Sequence, residues 1–540
     1  MKGRELVRAA MKCEAVERAP WVPFVGCHAA ALIDVKASEY LKSADLMVRG
    51  LNKAVELYRP DGIPVVFDLQ LEAEVLGCDL VWADMNPPSV ASHPLALGKS
   101  LADLRVPKAD QGRIPAVLDA ARRLRKQHPD VALYGLLTGP FTLAMHLAGT
   151  DIFMRMYDNP AEVMALMTFC RDVCVAMTGY FAEAGCDVIA VVDPMTSQIG
   201  PEQFKEFVLP FMLPVFEHVR GRGLLSSFFV CGHAQQNIEV MADCKPDNIS
   251  VDENIPLDYV RDICLKRGVS FGGNMQLTVV LLLGTPEDAQ RDALGCMETG
   301  GLKGFILAPG CDLPFGTPPA NLQAVAELVF NPYQRDVIKT LARTPPSRDL
   351  LNLSEYGLAD KVIVDIVTLD SEACAPCQYM VEAVKKVMPE FTGIVEWREH
   401  KIKHQESLQF MTSLMVKNVP TICIDGQITF VSRIPPKEEL IAAIQKRINQ
   451  KLSVKIHHRK ATFYVLGRTE DECRPLKTRL AQAIKELGSE IPISVVMDEK
   501  RILSYGVTRT PAVVLARYTL KAEGAIPDIL VIKEWIKDLI

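Results

Sequence analysis

Through the first 340 residues, short runs rich in β-branched and aromatic residues alternate with longer stretches of helical period. Eight runs stand out: Trp21–Val25, Ile63–Phe67, Ala132–Leu137, Val188–Val192, Leu225–Val230, Asn248–Val251, Val269–Phe271 and Gly304–Leu307. Between them lie amphipathic segments such as 161–185. Eight strands, each followed by a helix, predict an α/β fold of the (β/α)8 TIM-barrel type. A doubly wound open sheet is the rival. It is disfavoured because no strand is followed by a GxGxxG turn.

The remaining chain divides differently. Pro345-Pro346 sits in a polar stretch that reads as a linker over 342–358, following a barrel over 1–341, and few contacts are expected to cross it. Beyond it lies an internal repeat, because residues 362–387 match 462–487 in pattern. A Pro-led segment follows in each half, 417–424 and 508–515. Two tandem thioredoxin-like α/β domains are expected at 359–452 and 459–540.

Composition narrows the function classes. Sixty Lys and Arg against 66 Asp and Glu give a net charge of −6, which argues against a nucleic-acid or membrane-surface partner. The densest apolar run, Val279 to Leu283, is far too short to span a bilayer. The N-terminal 20 residues are charged throughout and do not read as a signal peptide. Fifteen Cys, scattered apart from one CxxC, fit mostly buried thiols in a reduced, cytoplasmic setting.

In a barrel, chemistry gathers where the strands end. The residues following the eight runs include His28, Asp68, Asp193, Cys231, His233, Asp252, Glu253, Asn274 and Cys311. Cys231 and His233 are two apart, so an extended strand end would point both to one face. Strands five and eight sit across the mouth, where Cys311 can reach. Two thiols, an imidazole and one open position make a catalytic Zn²⁺ pattern. The alternative is two buried small thiols and a loop histidine. The carboxylates either line a pocket or cap the helices that follow. Asp68 and Asp193 are the better placed of them for a pocket, and His28 and Asn274 join them as candidate substrate-binding residues.

The stretches 4–24, 137–149, 200–211, 272–289 and 307–324 resemble the uroporphyrinogen decarboxylase superfamily over nearly the whole barrel. Decarboxylases of that superfamily carry an Arg-rich motif after the first strand, whereas this chain reads VGCHAAALIDV (25–35) there, with no Arg. Arg49, Arg59 and Arg105 are the cations a tetrapyrrole decarboxylase could use instead. Residues 66–82 and 308–311 are similar to the methylcobamide:coenzyme M methyltransferase branch. That branch implies zinc held by a His-x-Cys after strand five and a Cys after strand eight. Cys231 and Cys311 match, Phe229 occupies the His position, and His233 is the substitute. It also implies transfer of a methyl group from a corrinoid to a zinc-activated thiol. No DxHxxG corrinoid motif is present, so the corrinoid would arrive on a partner protein. A tetrapyrrole decarboxylase, and a redox-regulated protein that binds a corrinoid or tetrapyrrole without turning it over, are the alternatives. A homodimer is an assembly compatible with this reading.

Cys374-Ala375-Pro376-Cys377 ends a strand pattern and opens a helix, which resembles thioredoxins and glutaredoxins, with Val419-Pro420-Thr421 as the cis-Pro loop. The resemblance implies a redox-active dithiol in which the helix N-terminus favours the Cys374 thiolate and Cys377 resolves the mixed disulfide. The second repeat has Leu476 in the resolving position beside Cys473, so it reads as a docking domain.

Overall fold

The computed structural model describes residues 1–340, 356, 361–372, 374–458, 462–486 and 491–516. The expected linker, apart from Tyr356, lies outside the described residues.

Seven parallel strands form one curled sheet in the order β1 to β7: β1 Gly62–Pro64, β2 Ala132–Thr138, β3 Val188–Val192, β4 Leu225–Val230, β5 Asn248–Val251, β6 Ser270–Met275 and β7 Phe305–Pro309. Each neighbouring pair is in parallel register. The first expected strand, Trp21–Val25, is reduced to a single bridge. Trp21 pairs with Leu307 of β7, while its carbonyl accepts from Asp61 and Gly62 at the start of β1. The segment thus closes the ring as a TIM barrel does, but Pro20 and Pro23 carry no N–H for a longer ladder. The barrel interior is apolar. Phe24, Phe67 and Phe229 pack edge-to-face or tilted, with centroids 5.3–6.2 Å apart. Ala308 and Cys231 join the same buried cluster.

Beyond the barrel, β8 (Val362–Thr368), β9 (Val395–Lys401), β10 (Thr421–Ile424) and β11 (Gln427–Val431) form a sheet of order β9-β8-β10-β11. The helix Ala375–Val387 follows β8, with Cys374 as its N-cap, and the Val419–Pro420 bond is cis. Strand, helix and Pro-led antiparallel strand make this the expected thioredoxin-like domain.

The chain separates into two compact units. The first holds the barrel together with the CxxC domain as far as Pro436. The expectation of few contacts between those two parts therefore fails. Ala375 and Tyr379 are buried in the barrel's own core cluster. The second unit holds helix Lys437–His458 and the second repeat. There β12 (Thr462–Leu466) pairs parallel with β13 (Ile493–Val496) and antiparallel with β14 (Ala512–Ala516), and Thr510–Pro511 is cis. Cys473 is buried in its helix Glu470–Glu486. No helix among the described residues is long and apolar enough to cross a membrane.

Candidate active site

The turns that leave β4 and β7 bring two thiols together. Cys231 Sγ and Cys311 Sγ lie 2.8 Å apart, and both residues are unbridged. Cys231 is buried and Cys311 partly so. Burial, with the charges of Asp252 and of the other thiol, pushes the Cys231 thiol well up.

His233 does not join them. β4 ends at Val230, and Gly232 takes a left-handed φ of +89°, so the alternation that would align residues 231 and 233 is broken. A Cβ at Gly232 would also meet Ser197 Oγ at 3.2 Å. The imidazole Nδ1 of His233 is buried without a partner. The position where the resemblance places a histidine is Phe229, committed to the aromatic cluster beneath the thiols. Zinc needs at least three protein donors in a catalytic site. The structure supplies two, and among the described residues no three His, Cys, Asp or Glu converge as a metal cage. As placed, the side chains do not complete a zinc site.

The four candidate substrate contacts have their polar atoms engaged within the protein. His28 is buried, with Nδ1 3.1 Å from the Phe315 carbonyl and Nε2 2.7 Å from Tyr58 Oη. Asp68 accepts from Gln70 N at 2.9 Å and pairs with Arg113, which also holds Glu74. Asp193 accepts from Phe141 N, Thr142 N and Thr142 Oγ1 at 2.6–3.1 Å, so it caps the helix Pro140–Ala148. Burial still raises its carboxyl to about 6. Asn274 donates to the Asp252 and Ile255 carbonyls. These residues shape the strand ends. The cations weighed for a decarboxylase lie elsewhere: Arg49 is exposed, Arg59 pairs with Glu327 at the surface, and Arg105 donates to the Leu104 carbonyl.

One carboxyl stands out beside the thiols. Glu253, at the end of β5, directs a buried Oε2 with no partner toward Gly310, where a Cβ would come within 2.2 Å of it. A Cβ before Cys311 would displace that carboxyl and press on the Glu253 backbone N at 3.0 Å. Burial first, and the Asp252 charge second, push Glu253 up to about 8. The folded chain therefore holds this proton where an unfolded chain, near the ordinary 4.5, has lost it. The resulting stabilisation is full below that ordinary value and is lost as pH rises toward 8. We expect Glu253→Gln to flatten the fall of melting temperature between pH 5 and pH 8. An unaltered slope counts against the buried proton.

Across the same face runs the CxxC helix. Gln378 Nε2 donates to the Val90 carbonyl at 2.7 Å, and Tyr379 Oη lies 3.0 Å from His146 Nδ1. Burial drives His146 down to about 3, so the imidazole is neutral and the contact does not titrate near neutrality. Asn86 donates to Asp370 and Glu372, and Gln198 bridges to Ser432 and Ile434. Cys374 caps the helix as the CxxC spacing requires, and Cys377 is fully buried. The hydrogen bond of Cys374 with Cys377, then burial, push the Cys374 thiol well up. No sequence signal marked Gln378, Tyr379, His146 or Gln198, because each is an ordinary residue for its element.

Residues 2–331 match the family model "Uroporphyrinogen decarboxylase (URO-D)", and residues 364–445 match a thioredoxin domain. The chain is 27% identical to the methylcobamide:CoM methyltransferase of Methanosarcina mazei over 335 residues, 61% of this chain and 97% of that protein. It is 28% identical to the uroporphyrinogen decarboxylase of Anaeromyxobacter dehalogenans over 342 residues, 59% of this chain and 96% of that protein. A methyltransferase structure from Methanosarcina mazei superposes with a TM-score of 0.57 at 24% identity, covering 63% of this chain and all of that one. The family model spans more than half of the sequence, from the first turn to the last barrel helix, and the chain belongs to the uroporphyrinogen decarboxylase family.

Proposed function

We propose that this chain is a methyltransferase that moves a methyl group from a corrinoid, carried by a separate protein, to a small thiol, and that Cys374 and Cys377 form a redox-active dithiol serving it. The observation that carries this reading is the pairing of Cys231 and Cys311, from opposite sides of the barrel, at 2.8 Å. The absence of the Arg-rich segment after the first strand favours it over decarboxylation, and several relatives are named methylcobamide:CoM methyltransferases.

In this reading Cys231 and Cys311 supply the thiolate donors for zinc, which would lower the pKa of an acceptor thiol. His233 is the third ligand proposed from the sequence. Because it does not meet the pair as placed, no step is routed through the metal. The chain's own contribution is definable without it. The Phe24, Phe67 and Phe229 layer excludes water below the thiols. Burial, then the Asp252 charge, push the Glu253 carboxyl up, which disfavours a negative charge beside them. Asp252 accepts from Gly232 N and fixes the loop that carries Cys231.

The test is demethylation of methylcobalamin by the reduced full chain with a small thiol, followed by its cobalt absorption change, together with metal analysis. The expected result is turnover and about one zinc per chain, with zinc lost in Cys231→Ser and Cys311→Ser. Unchanged zinc in both variants removes this site, and uroporphyrinogen turnover in place of methyl transfer overturns the assignment. The dithiol is tested on its own: Cys374→Ser should abolish reduction of a small model disulfide, Cys377→Ser should trap mixed disulfides, and Cys473→Ser should change little. Pro420, ending the cis bond, is assigned to the loop that shapes that dithiol's surface.

A further inference from the structure

A thioredoxin-type dithiol exchanges with whatever disulfide faces the N-terminus of its helix. Here that end is turned onto the barrel. Ala375, Pro376, Cys377 and Gln378 are all buried. The helix packs on the turn Pro194–Gln198, whose Ser197 lies against Gly232, the residue next to Cys231. Gln198 in the same turn holds the backbone of Ser432 and Ile434, so the contact is fastened at two places. The facing surface carries two unbridged cysteines with sulfurs 2.8 Å apart. That is longer than a disulfide of about 2.05 Å but close enough for one to form with little movement. Cys374 is near enough for its charge to act on both Cys231 and Cys311.

We infer that the substrate of the Cys374–Cys377 dithiol is the barrel's own Cys231–Cys311 pair, which it returns from disulfide to thiols. The inference rests on the reading of that dithiol as redox-active, and does not depend on the methyl-transfer reaction. A peroxide-class oxidant joins Cys231 to Cys311, removing two electrons and two protons. The Cys374 thiolate then attacks Cys311, the less buried of the two. The Cys231–Cys311 bond breaks, a Cys374–Cys311 bond forms, and Cys231 leaves as thiolate and takes a proton. Cys377 next attacks Cys374 and releases Cys311. The barrel pair has gained two electrons and two protons, and Cys374–Cys377 is the disulfide. A soluble dithiol reduces it and resets the cycle. An oxidised barrel pair has no thiolate to offer a metal or substrate, so the appended domain acts as a built-in repair group for the mouth.

The experiment uses the full chain, reduced, freed of reductant, treated with diamide and quenched with an alkylating agent before peptide mass spectrometry. In Cys377→Ser, a Cys374–Cys311 bridged peptide should be the main cross-link. In the unmutated chain, the Cys231–Cys311 disulfide should disappear on addition of limiting dithiothreitol at least about tenfold faster than in Cys374→Ser. Circular dichroism confirms that each variant is folded. If Cys374 of the Cys377→Ser chain bridges only to added glutathione, or if the two decay rates are equal, the barrel pair is not its substrate. Should the dithiol still reduce an external disulfide in that case, its redox activity stands and this inference alone falls. Failure of any Cys374–Cys377 disulfide to form overturns both.

Discussion

Replacing Tyr379 with alanine is expected to destabilise the first compact unit by about 3–5 kcal/mol. The ring is fully buried, belongs to the barrel's core cluster although it comes from the appended domain, and stacks near His93 with centroids 6.0 Å apart. Its loss opens a cavity between barrel and helix and leaves His146 Nδ1 without its partner. Hydrogen exchange should show the change as faster labelling of both the 375–387 helix and the 140–148 helix. Tyr379→Phe keeps the ring and should cost only about 1 kcal/mol. If Tyr379→Ala speeds exchange in the CxxC domain but not in the barrel helix, the contact does not stabilise the barrel.

Arg113→Ala should cost a similar amount, about 3–5 kcal/mol, by leaving a buried carboxylate without its cation. The Asp68 side chain is wholly inaccessible and Arg113 is 8% exposed, so water cannot stand in for the lost partner. The double variant Arg113→Met with Asp68→Asn should recover much of the loss, because both charges are then gone. Denaturant unfolding of these two variants beside the unmutated chain reads this directly. A double variant no more stable than Arg113→Ala would mean that the damage comes from lost packing, including the Arg113 contact with Trp82.

The barrel was legible in the sequence wherever strand and hydrophobic run coincide. The runs at 188–192, 225–230 and 248–251 have the observed bounds, because buried parallel strands are apolar on both faces. The first run failed as a strand because apolar character does not replace the missing proline N–H groups. The thiols of the site were also legible, since position after a strand fixes where Cys231 and Cys311 must meet. His233 was not, because one glycine at positive φ re-aims the chain, and periodicity assumes an extended backbone. Asp68 and Asp193 had the right position for a pocket but spend their oxygens on Arg113, Gln70 and a helix end. The docking of the CxxC helix left no trace in pattern, as an interface made of a tyrosine, two glutamines and a histidine looks like any helix surface.

The seating of the CxxC helix on the strand-end face also sets a population rule for anything large that must reach the thiols. If the proposed corrinoid-carrying partner reaches the thiols through that face, it competes with the chain's own domain and binds only molecules in which the helix has lifted away. Its apparent dissociation constant is the intrinsic one divided by the lifted fraction, so if about 1% of molecules are open, binding weakens about a hundredfold. By the same relation, a substitution that loosens the Tyr379 contact tightens such a partner while leaving the thiols themselves untouched.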